Sequence, residues 1–284
     1  MTPALSRRFF PLVPPLLALL SGLLLAGVHA STGDTHTGPM PDDARALLQR
    51  IHQAANNGNY RGVLILSSAG TISSSRVWHF SVGEQTYEKL ESLDGRQQTV
   101  LRHNDDVQTM WPQARMAVLE KRELASTPEA TPQSVDPRAL EQYRFRRESN
   151  SRVAGREAAV FVLEPRDSLR FAQRLWADQA SGLMLRADVL APAPVSVVLE
   201  SSGFMEIEIG IKPQPRTVLD AMRALDGYRV LRPVQQRIKL EDAGWTLARP
   251  VPGYALVNCL TRPHFTITNK NNHSSYSSCY VQKT

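Results

Sequence analysis

The sequence contains few cysteines, and none in its central part. Only Cys259 and Cys279 occur among 284 residues, and both lie near the C-terminus. The strand-rich part of the chain must therefore be stabilised by burial of apolar side chains and not by disulfide bonds. In an oxidising compartment the two cysteines are able to pair, but their positions alone do not decide between a disulfide and two thiols.

Motifs for catalysis and metal binding are also absent from the sequence. No two of the seven histidines have the spacing of a helical metal site, and none accompanies a cysteine pair. A Gly-x-Ser-x-Gly elbow, a Ser-x-x-Lys motif and a phosphate-binding glycine loop are all missing. His79 falls in a strand-like run and is expected at the surface of a sheet. We therefore expect no cofactor, no metal and no enzymatic activity.

The N-terminus has the pattern of a secretory signal peptide. Arg7 and Arg8 precede an apolar run from Phe9 to Val28, and Val28-His29-Ala30 places small residues before a cleavage point after Ala30. An uncleaved membrane anchor is the alternative, but three prolines interrupt the run. Removing residues 1–30 lowers the formal charge from +6 to +4, because Arg7 and Arg8 are their only charged residues. This mildly basic charge gives no indication of nucleic-acid binding.

The stretch from Tyr60 to Trp111 consists of short β-prone runs. Each run is closed by a turn signal such as Ala69-Gly70 or Asp94-Gly95, which predicts an antiparallel meander. Apolar residues occur on both faces of some runs, as expected for a barrel that is packed inside and partly covered outside. Before the meander, apolar residues recur at helical spacing over Asp42–Asn57, which predicts a helix that plugs the concave side.

The rest of the chain suggests two further boundaries. The run 124–137 is rich in Pro, Ser and Thr and is predicted to be a loop, and 138–147 is assigned a short helix. Lys212-Pro-Gln-Pro-Arg216 is the best linker candidate. We therefore expect a large domain over 31–212 and a small α+β domain over 213–284. Its tail from 264 is rich in Asn and Ser and is predicted to be poorly folded.

Two groups of residues are candidates for binding. An unusually large apolar set, which includes three Trp and one Met, is either an ordinary core or the lining of a cavity for an acyl chain. Its members are Leu64, Leu66, Trp78, Phe80, Leu90, Leu101, Met110, Trp111, Phe161, Leu163 and Trp176. The second group is the basic cluster Arg144, Arg146 and Arg147 around Phe145. It is either a solvated face with Phe145 packed inward or a contact for an acidic peptide or lipid headgroup.

Several segments resemble the RseB/MucB family of periplasmic negative regulators of the envelope-stress sigma factor. They are Tyr60-Arg-Gly with the following β run, Glu88–Gly95, Val100–Asp105, Arg174–Arg186 and Gly244–Tyr254. The resemblance covers roughly Ala44 to Pro263, and its motifs are structural, not catalytic. After Pro263 this sequence departs from the family pattern, because an Asn/Ser-rich tail replaces the further strands of the small domain, and we expect that domain to be truncated.

The resemblance implies a fold, a compartment and partners. The large domain is expected to be similar to the lipoprotein carriers LolA and LolB, which implies a mainly β fold: a half-open antiparallel barrel with helices that plug its concave side. The protein is expected in the periplasm. It would bind the periplasmic domain of an anti-sigma factor (RseA/MucA) and shield it from the site-1 protease. A lipid, lipoprotein or lipopolysaccharide ligand would release it. The small domain is expected to supply partner contacts, with Trp245 and Tyr254 as candidates.

Two other functions fit the same residues less well. A lipoprotein carrier of the LolA type would use the same fold, but such carriers consist of a single domain, and this chain continues beyond its linker. An envelope enzyme is disfavoured because the sequence offers no nucleophile, metal set or base, although a fold alone never fixes function.

Overall fold

A computed structural model describes residues 42–121, 142–192, 197–234, 236–246, 255–265 and 273–282. The predicted signal peptide, its cleavage point after Ala30, the predicted loop 124–137 and Tyr254 all lie outside these ranges.

The predicted plugging helix is present as α1, Asp42–Asn57. Ala44, Leu48 and Ile51 recur on one face of the helix, and all three are buried. Gly58 ends it, with its N–H donating to the carbonyl of Ala54 at 3.0 Å. A Cβ at Gly58 would stand 2.4 Å from that carbonyl oxygen, so only glycine fits there. No helix among the described residues is long and apolar enough to cross a bilayer.

Most strands form one large open sheet. The chain runs through β1 Tyr60–Ser68, β2 Thr71–Val82, β3 Gln85–Ser92, β4 Thr99–His103, β5 Asp106–Trp111, β6 Met116–Lys121, β7 Tyr143–Arg147, β8 Ser151–Val153, β9 Arg156–Pro165, β10 Ala172–Asp178, β11 Met184–Leu190, β12 Val198–Ile209, helix α2 Arg216–Arg223 and β13 Arg229–Leu231. Their order is β13-β6-β5-β4-β3-β2-β1-β12-β11-β10-β9-β7, and β8 also pairs with β9. Since β13 and β7 are edges, the sheet does not close, and the half-open antiparallel fold is confirmed.

The two helices cover opposite faces of this sheet. Successive side chains of a strand alternate between faces, so Val77 and Phe80 of β2 point in opposite directions. Val77 lies in a cluster that Ala54 of α1 joins, whereas Phe80 lies in a cluster that contains Val218 of α2. Both faces of the sheet are therefore buried in places, as the apolar pattern on both faces of the strands predicted.

Two short segments differ from the sequence-based assignment. Residues 143–147 form β7 and not a helix, because Tyr143 and Phe145 alternate with arginines at the period of a strand. Helix α2 and β13 follow the predicted linker, yet α2 packs on the large sheet and β13 pairs in parallel with β6. Pro215 stands directly before α2, where proline is compatible with the start of a helix.

The C-terminal residues form a second sheet of β14 Gln236–Ile238, β15 Ala255–Phe265 and β16 His273–Gln282. The prediction of a poorly folded tail is therefore wrong for residues 273–282. Cys259 is disulfide-bonded and lies opposite Cys279, the other cysteine of the sequence, in the register of β15 and β16. A covalent link between strands compensates for the low apolar content on which the prediction relied.

Candidate binding surfaces

Four of the eleven predicted cavity residues meet in a single cluster. They are Trp78, Phe80, Leu101 and Met110. Helix α2 covers them with fully buried Val218 and with half-buried Leu219 and Met222. In this structure, the protein's own helix fills the space where an acyl chain was predicted. Lipid binding by these residues stays a prediction, and it requires α2 to move.

The other seven predicted cavity residues belong to separate surfaces. Phe161 and Leu163 lie beneath α1, Leu64 and Leu90 beside Tyr60, Trp176 beside Val160, and Leu66 and Trp111 near the ends of β1 and β5. The set was selected by residue type, and side chains of the same type can lie on either face of one sheet. The structure thus does not bring the eleven residues together into one lining.

A pocket of about 270 Å³ lies between α1 and the β10–β11 turn. Arg50, Asn57, Tyr60 and Leu183 are among its lining residues, and none of the predicted cavity residues is. Its volume falls just below the roughly 300–1,000 Å³ typical of small-molecule sites. Sequence reasoning missed it because its walls join a helix and a turn that lie more than a hundred residues apart.

The turn that borders this pocket is held in place by ionic hydrogen bonds. Arg50 donates to the carbonyls of Gln179 and Ala180 at 2.8 and 2.6 Å. Asp178 accepts from Arg156 at 2.8 Å and from the Ser181 hydroxyl at 2.7 Å. Burial opposes ionisation of Asp178, but these hydrogen bonds outweigh it and lower the pKa of the carboxyl. These hydrogen bonds fix the turn against α1 and β9 at the border of the pocket.

A row of polar side chains crosses four neighbouring strands. Tyr60, His79, Glu88 and Arg102 stand directly opposite one another on β1, β2, β3 and β4. The expectation that His79 lies at the sheet surface is wrong, since only 2% of the residue is exposed. The apolar neighbours of this face and the end of α1 enclose it. Burial lowers the pKa of His79, although nearby Glu88 and a hydrogen bond to Gly58 act in the opposite direction.

Glu88 is placed between two basic groups of this row. One of its oxygens lies 3.7 Å from Nε2 of His79, and the other lies 3.6 Å from a terminal nitrogen of Arg102. Arg102 also donates from Nε to the carbonyl of Asn104 at 2.7 Å. Its second terminal nitrogen is buried and has no hydrogen-bond partner among the described residues. The arrangement provides charge balance in the sheet interior, but it offers no nucleophile or open substrate position.

The predicted basic cluster occupies the edge strand β7. Phe145 stacks on Phe161 at 5.5 Å, so its inward packing is confirmed. Arg146 is paired with Glu164 and Glu148, both at 3.0 Å. Arg144 and Arg147 are exposed, and the described part of the chain shows no ion pair for either. Within the described ranges, the strand therefore presents two unpaired positive charges on a sheet edge that no described strand covers.

A second charged group lies further along the sheet and was not predicted. Arg186 donates through two nitrogens to the two oxygens of Asp188, each at 2.8 Å, and its guanidinium lies 4.7 Å from the ring centre of Trp176. Ser201 donates to the same carboxylate at 2.7 Å. The sequence Arg186-Ala-Asp188 indicates that the two charged side chains lie on the same face of a strand. Only the strand register shows that Trp176 lies opposite Arg186 and Ser201 opposite Asp188.

The remaining candidates are peripheral. Trp245 follows a short helical turn and is 65% exposed, so its side chain is accessible to a partner. Within the described ranges, no group of His, Cys, Asp and Glu side chains is arranged to hold a metal ion.

Comparisons with known proteins relate this chain to a family. The model of the MucB/RseB N-terminal domain matches residues 43–222. The sigma-E factor regulatory protein RseB of Haemophilus influenzae is 29% identical over 147 residues, which cover 52% of this chain and 47% of the relative. The sigma factor AlgU regulatory protein MucB of Pseudomonas aeruginosa is 27% identical over 222 residues, covering 78% and 66%. The chain thus spans between about half and two thirds of the length of these relatives.

Solved structures show the same fold. The complex of P. aeruginosa MucA and MucB matches with a TM-score of 0.55 and 24% identity, covering 78% of this chain and 76% of the solved one. A crystal structure of MucB matches with a TM-score of 0.56 and 22% identity, covering 80% of this chain and 77% of the solved one. The family domain includes β1 to β12, all but the first residue of α1 and most of α2. The chain therefore belongs to the MucB/RseB family.

Proposed function

We propose that this protein is a regulator that binds the periplasmic domain of a membrane anti-sigma factor of the RseA/MucA type. The observation that carries the proposal is the family-domain match over residues 43–222. The matched relatives are named regulatory proteins of sigma-E and AlgU, and MucB was solved in complex with MucA(peri). Binding would shield the anti-sigma factor from the site-1 protease and so restrain the envelope stress response. No catalytic step is part of this role.

The proposed site of action is the periplasm. The signal-peptide pattern of residues 7–30 supports export, and the disulfide-bonded Cys259 fits an oxidising compartment.

For the partner contact we propose the β7 edge and Trp245. Arg144 and Arg147 are exposed on β7, and the outer edge of this strand has no partner strand among the described residues. An extended acidic segment could pair with the edge through its backbone while its carboxylates meet the two arginines. Trp245 would add a large apolar contact, as aromatic side chains do at interfaces. Arg146 contributes less, because Glu164 and Glu148 already neutralise it.

Titration calorimetry tests the main proposal. The chain from Ser31 onward is titrated with the purified periplasmic domain of the anti-sigma factor from the same organism. We expect a saturable complex, and we expect the bound anti-sigma factor to resist the site-1 protease. If the folded chain neither binds nor protects it, the proposal is wrong.

A matched pair of variants tests the contact surface. Arg144→Glu with Arg147→Glu should weaken binding by about tenfold or more, since two charges at the interface are reversed. Arg45→Glu with Arg96→Glu makes the same charge change at exposed positions on α1 and on the β3–β4 connection. At physiological salt, which screens charges that lie outside the interface, this control should bind within about twofold of wild type. Equal weakening by both variants would show that only net charge matters.

A lipid-bearing release signal is the finer part of the proposal. An acyl chain that reaches Phe80 and Leu101 must displace α2, which now packs on them. Adding a lipoprotein or lipopolysaccharide to the preformed complex should therefore release the anti-sigma factor, and Trp78→Asp should weaken that release. A complex that stays intact in the presence of these ligands would overturn the lipid part and leave the anti-sigma contact untouched.

A further inference from the structure

Exposed apolar side chains are concentrated at one end of the large sheet. Among the described residues, twelve large apolar side chains are exposed, and eight of them lie at this end. We call these eight the apolar rim: Leu66, Ile72, Leu93, Leu169, Phe171, Val197, Val198 and Leu199. At the opposite end of the sheet, where the β2–β3 and β10–β11 turns lie, only Val82 is a large exposed apolar residue of the described chain.

The strand order makes the apolar rim continuous. Its members stand at the ends of β3, β2, β1, β12 and β10 or in the adjoining turns, and these strands with β11 are neighbours in the sheet. The register aligns their ends, since Ser68 faces Glu200 on one side and Thr71 on the other. Leu190 likewise faces both Val198 and Ala172. Six strands spaced about 4.8 Å apart give the apolar rim a width of roughly 25 Å.

The apolar rim exposes side chains on both faces of the sheet. Val198 and Leu199 are consecutive in β12, so they point to opposite faces, yet each is 43% exposed. Leu66 and Ile72 also point to opposite faces, because Ile72 pairs with Ser67. A protein partner docked on one face would leave the other half of these side chains in water. A medium that surrounds the sheet end would cover both halves.

Three carboxylates near the apolar rim already have a hydrogen-bond or ion-pair partner within the protein. Asp94 accepts hydrogen bonds from the backbone N–H and the hydroxyl of Ser74, at 2.6 and 2.7 Å. Asp167 is paired with Arg170, and Glu200 accepts from Ser68 at 3.1 Å. Their internal partners reduce the cost of bringing these charges close to an apolar phase.

From this geometry we propose that the apolar rim inserts shallowly into the surface of a lipid bilayer. The inserted side chains replace water by hydrocarbon on both faces of the sheet end, and the gain scales with the apolar area that is buried. Apart from Leu66, the apolar rim shares no residue with the predicted cavity set or the proposed anti-sigma contact. The inference therefore goes beyond the proposed function and does not depend on it.

Vesicle co-sedimentation tests the proposal with two matched triple variants of the chain from Ser31 onward. The rim variant is Ile72→Ser, Phe171→Ser and Val198→Ser, whose native side chains are 68%, 50% and 43% exposed. The control is Val82→Ser, Met205→Ser and Val234→Ser, at 43%, 64% and 73%. With vesicles of phosphatidylcholine and phosphatidylglycerol, the rim variant should bind about tenfold more weakly or worse than wild type, and the control within about twofold. Circular dichroism should show that both variants fold.

Fluorescence supplies a second measurement at single positions. A Phe171→Trp substitution should add blue-shifted emission when vesicles are present, and brominated lipids should quench it. A Met205→Trp substitution, placed away from the apolar rim, should do neither. Binding should also persist in about 0.5 M NaCl, because salt screens charge but not apolar burial.

Four outcomes would overturn the proposal. They are no binding by the wild-type chain, undiminished binding by the rim variant, binding that disappears in high salt, and absence of quenching at Phe171→Trp. If the rim variant instead lost binding to the anti-sigma domain while vesicle binding was unchanged, the apolar rim would be a protein interface.

Discussion

His79 lies flat against Tyr60, with the two ring centres 4.8 Å apart and the ring planes inclined by 9°. Its Nδ1 stands 2.8 Å from the carbonyl of Gly58 and donates to it, which ties β2 to the residue that ends α1. Glu88 and Arg102 are the charged groups that face the ring from β3 and β4. Because burial lowers the pKa of this imidazole, the folded protein holds His79 neutral at pH 7.

The buried imidazole predicts a loss of stability in mild acid. The unfolded chain takes up a proton at His79 near pH 6.5, the ordinary value, whereas the folded chain does so only at lower pH. The stability that the neutral, buried His79 contributes is therefore present above about pH 6.5. It is lost as the pH falls from there to the lowered pKa that His79 has in the folded protein. Thermal melts between about pH 7.5 and about pH 5 should show the midpoint falling with pH.

Two variants separate this effect from general acid sensitivity. His79→Asn keeps a donor but no titrating group, so it should melt lower at pH 7 and lose part of the pH slope. His52→Asn removes an exposed imidazole on α1 and should keep the wild-type slope. If His79→Asn retained the full slope, the pH dependence would arise elsewhere.

The packing of α2 on the sheet predicts a large cost for shortening the side chains beneath it. Leu101 is fully buried and shares a cluster with Val218 and Phe80. Leu101→Ala should lower the free energy of unfolding by about 2–5 kcal/mol, as expected for a cavity in a packed core. Val234→Ala, at a 73% exposed position, should change it by less than about 0.5 kcal/mol. Urea denaturation measures both, and a small effect of Leu101→Ala would indicate a hollow site and not a core.

Periodic patterns predicted the elements of this fold well. The stripe of Ala44, Leu48 and Ile51 predicted α1, and the turn signals between Tyr60 and Trp111 predicted β1 to β5. Apolar residues on both faces predicted a sheet that is covered on both sides. Each of these features depends on residues close together in the sequence, where local preference and burial agree.

Contacts between distant residues were harder to predict. The eleven apolar candidates were grouped by type, but the face each one occupies depends on register, and on which helix covers that face. Arg50 meets the turn at Gln179 only after folding. The polar row from Tyr60 to Arg102 likewise depends on the alignment of four strands. The strand over residues 273–282 was missed because composition does not show a covalent bond between Cys259 and its partner.

The disulfide at Cys259 predicts that the second sheet is sensitive to reduction. Cys259 lies in β15 opposite Cys279 in β16, so the link closes the connection between these strands. A closed loop of this size contributes roughly 3 kcal/mol. Cys259→Ser with Cys279→Ser should make residues 255–282 exchange amide protons much faster, as followed by mass spectrometry. Peptides from β1 to β5 serve as the internal control and should keep their protection, and equal loss in both regions would show that the two sheets unfold together.

The pair Arg186–Asp188 predicts a measurable coupling energy, because one partner is buried and the other is not. Only 2% of the Asp188 side chain is exposed, against 41% for Arg186. Arg186→Met leaves the buried carboxylate with the hydrogen bond from Ser201 as its remaining side-chain partner among the described residues, and it should cost about 3 kcal/mol, the lower end for a broken buried pair. Asp188→Asn should cost less, since Arg186 reaches water and still stacks on Trp176. In urea denaturation the double variant should be destabilised less than the sum of the two single variants, by about 1–2 kcal/mol.

The exposed pair Arg61–Glu208 is the matched control. Its side chains are 51% and 60% exposed, and its coupling energy should stay below about 1 kcal/mol. Equal coupling energies for the two pairs would mean that burial of Asp188 does not strengthen its interaction with Arg186.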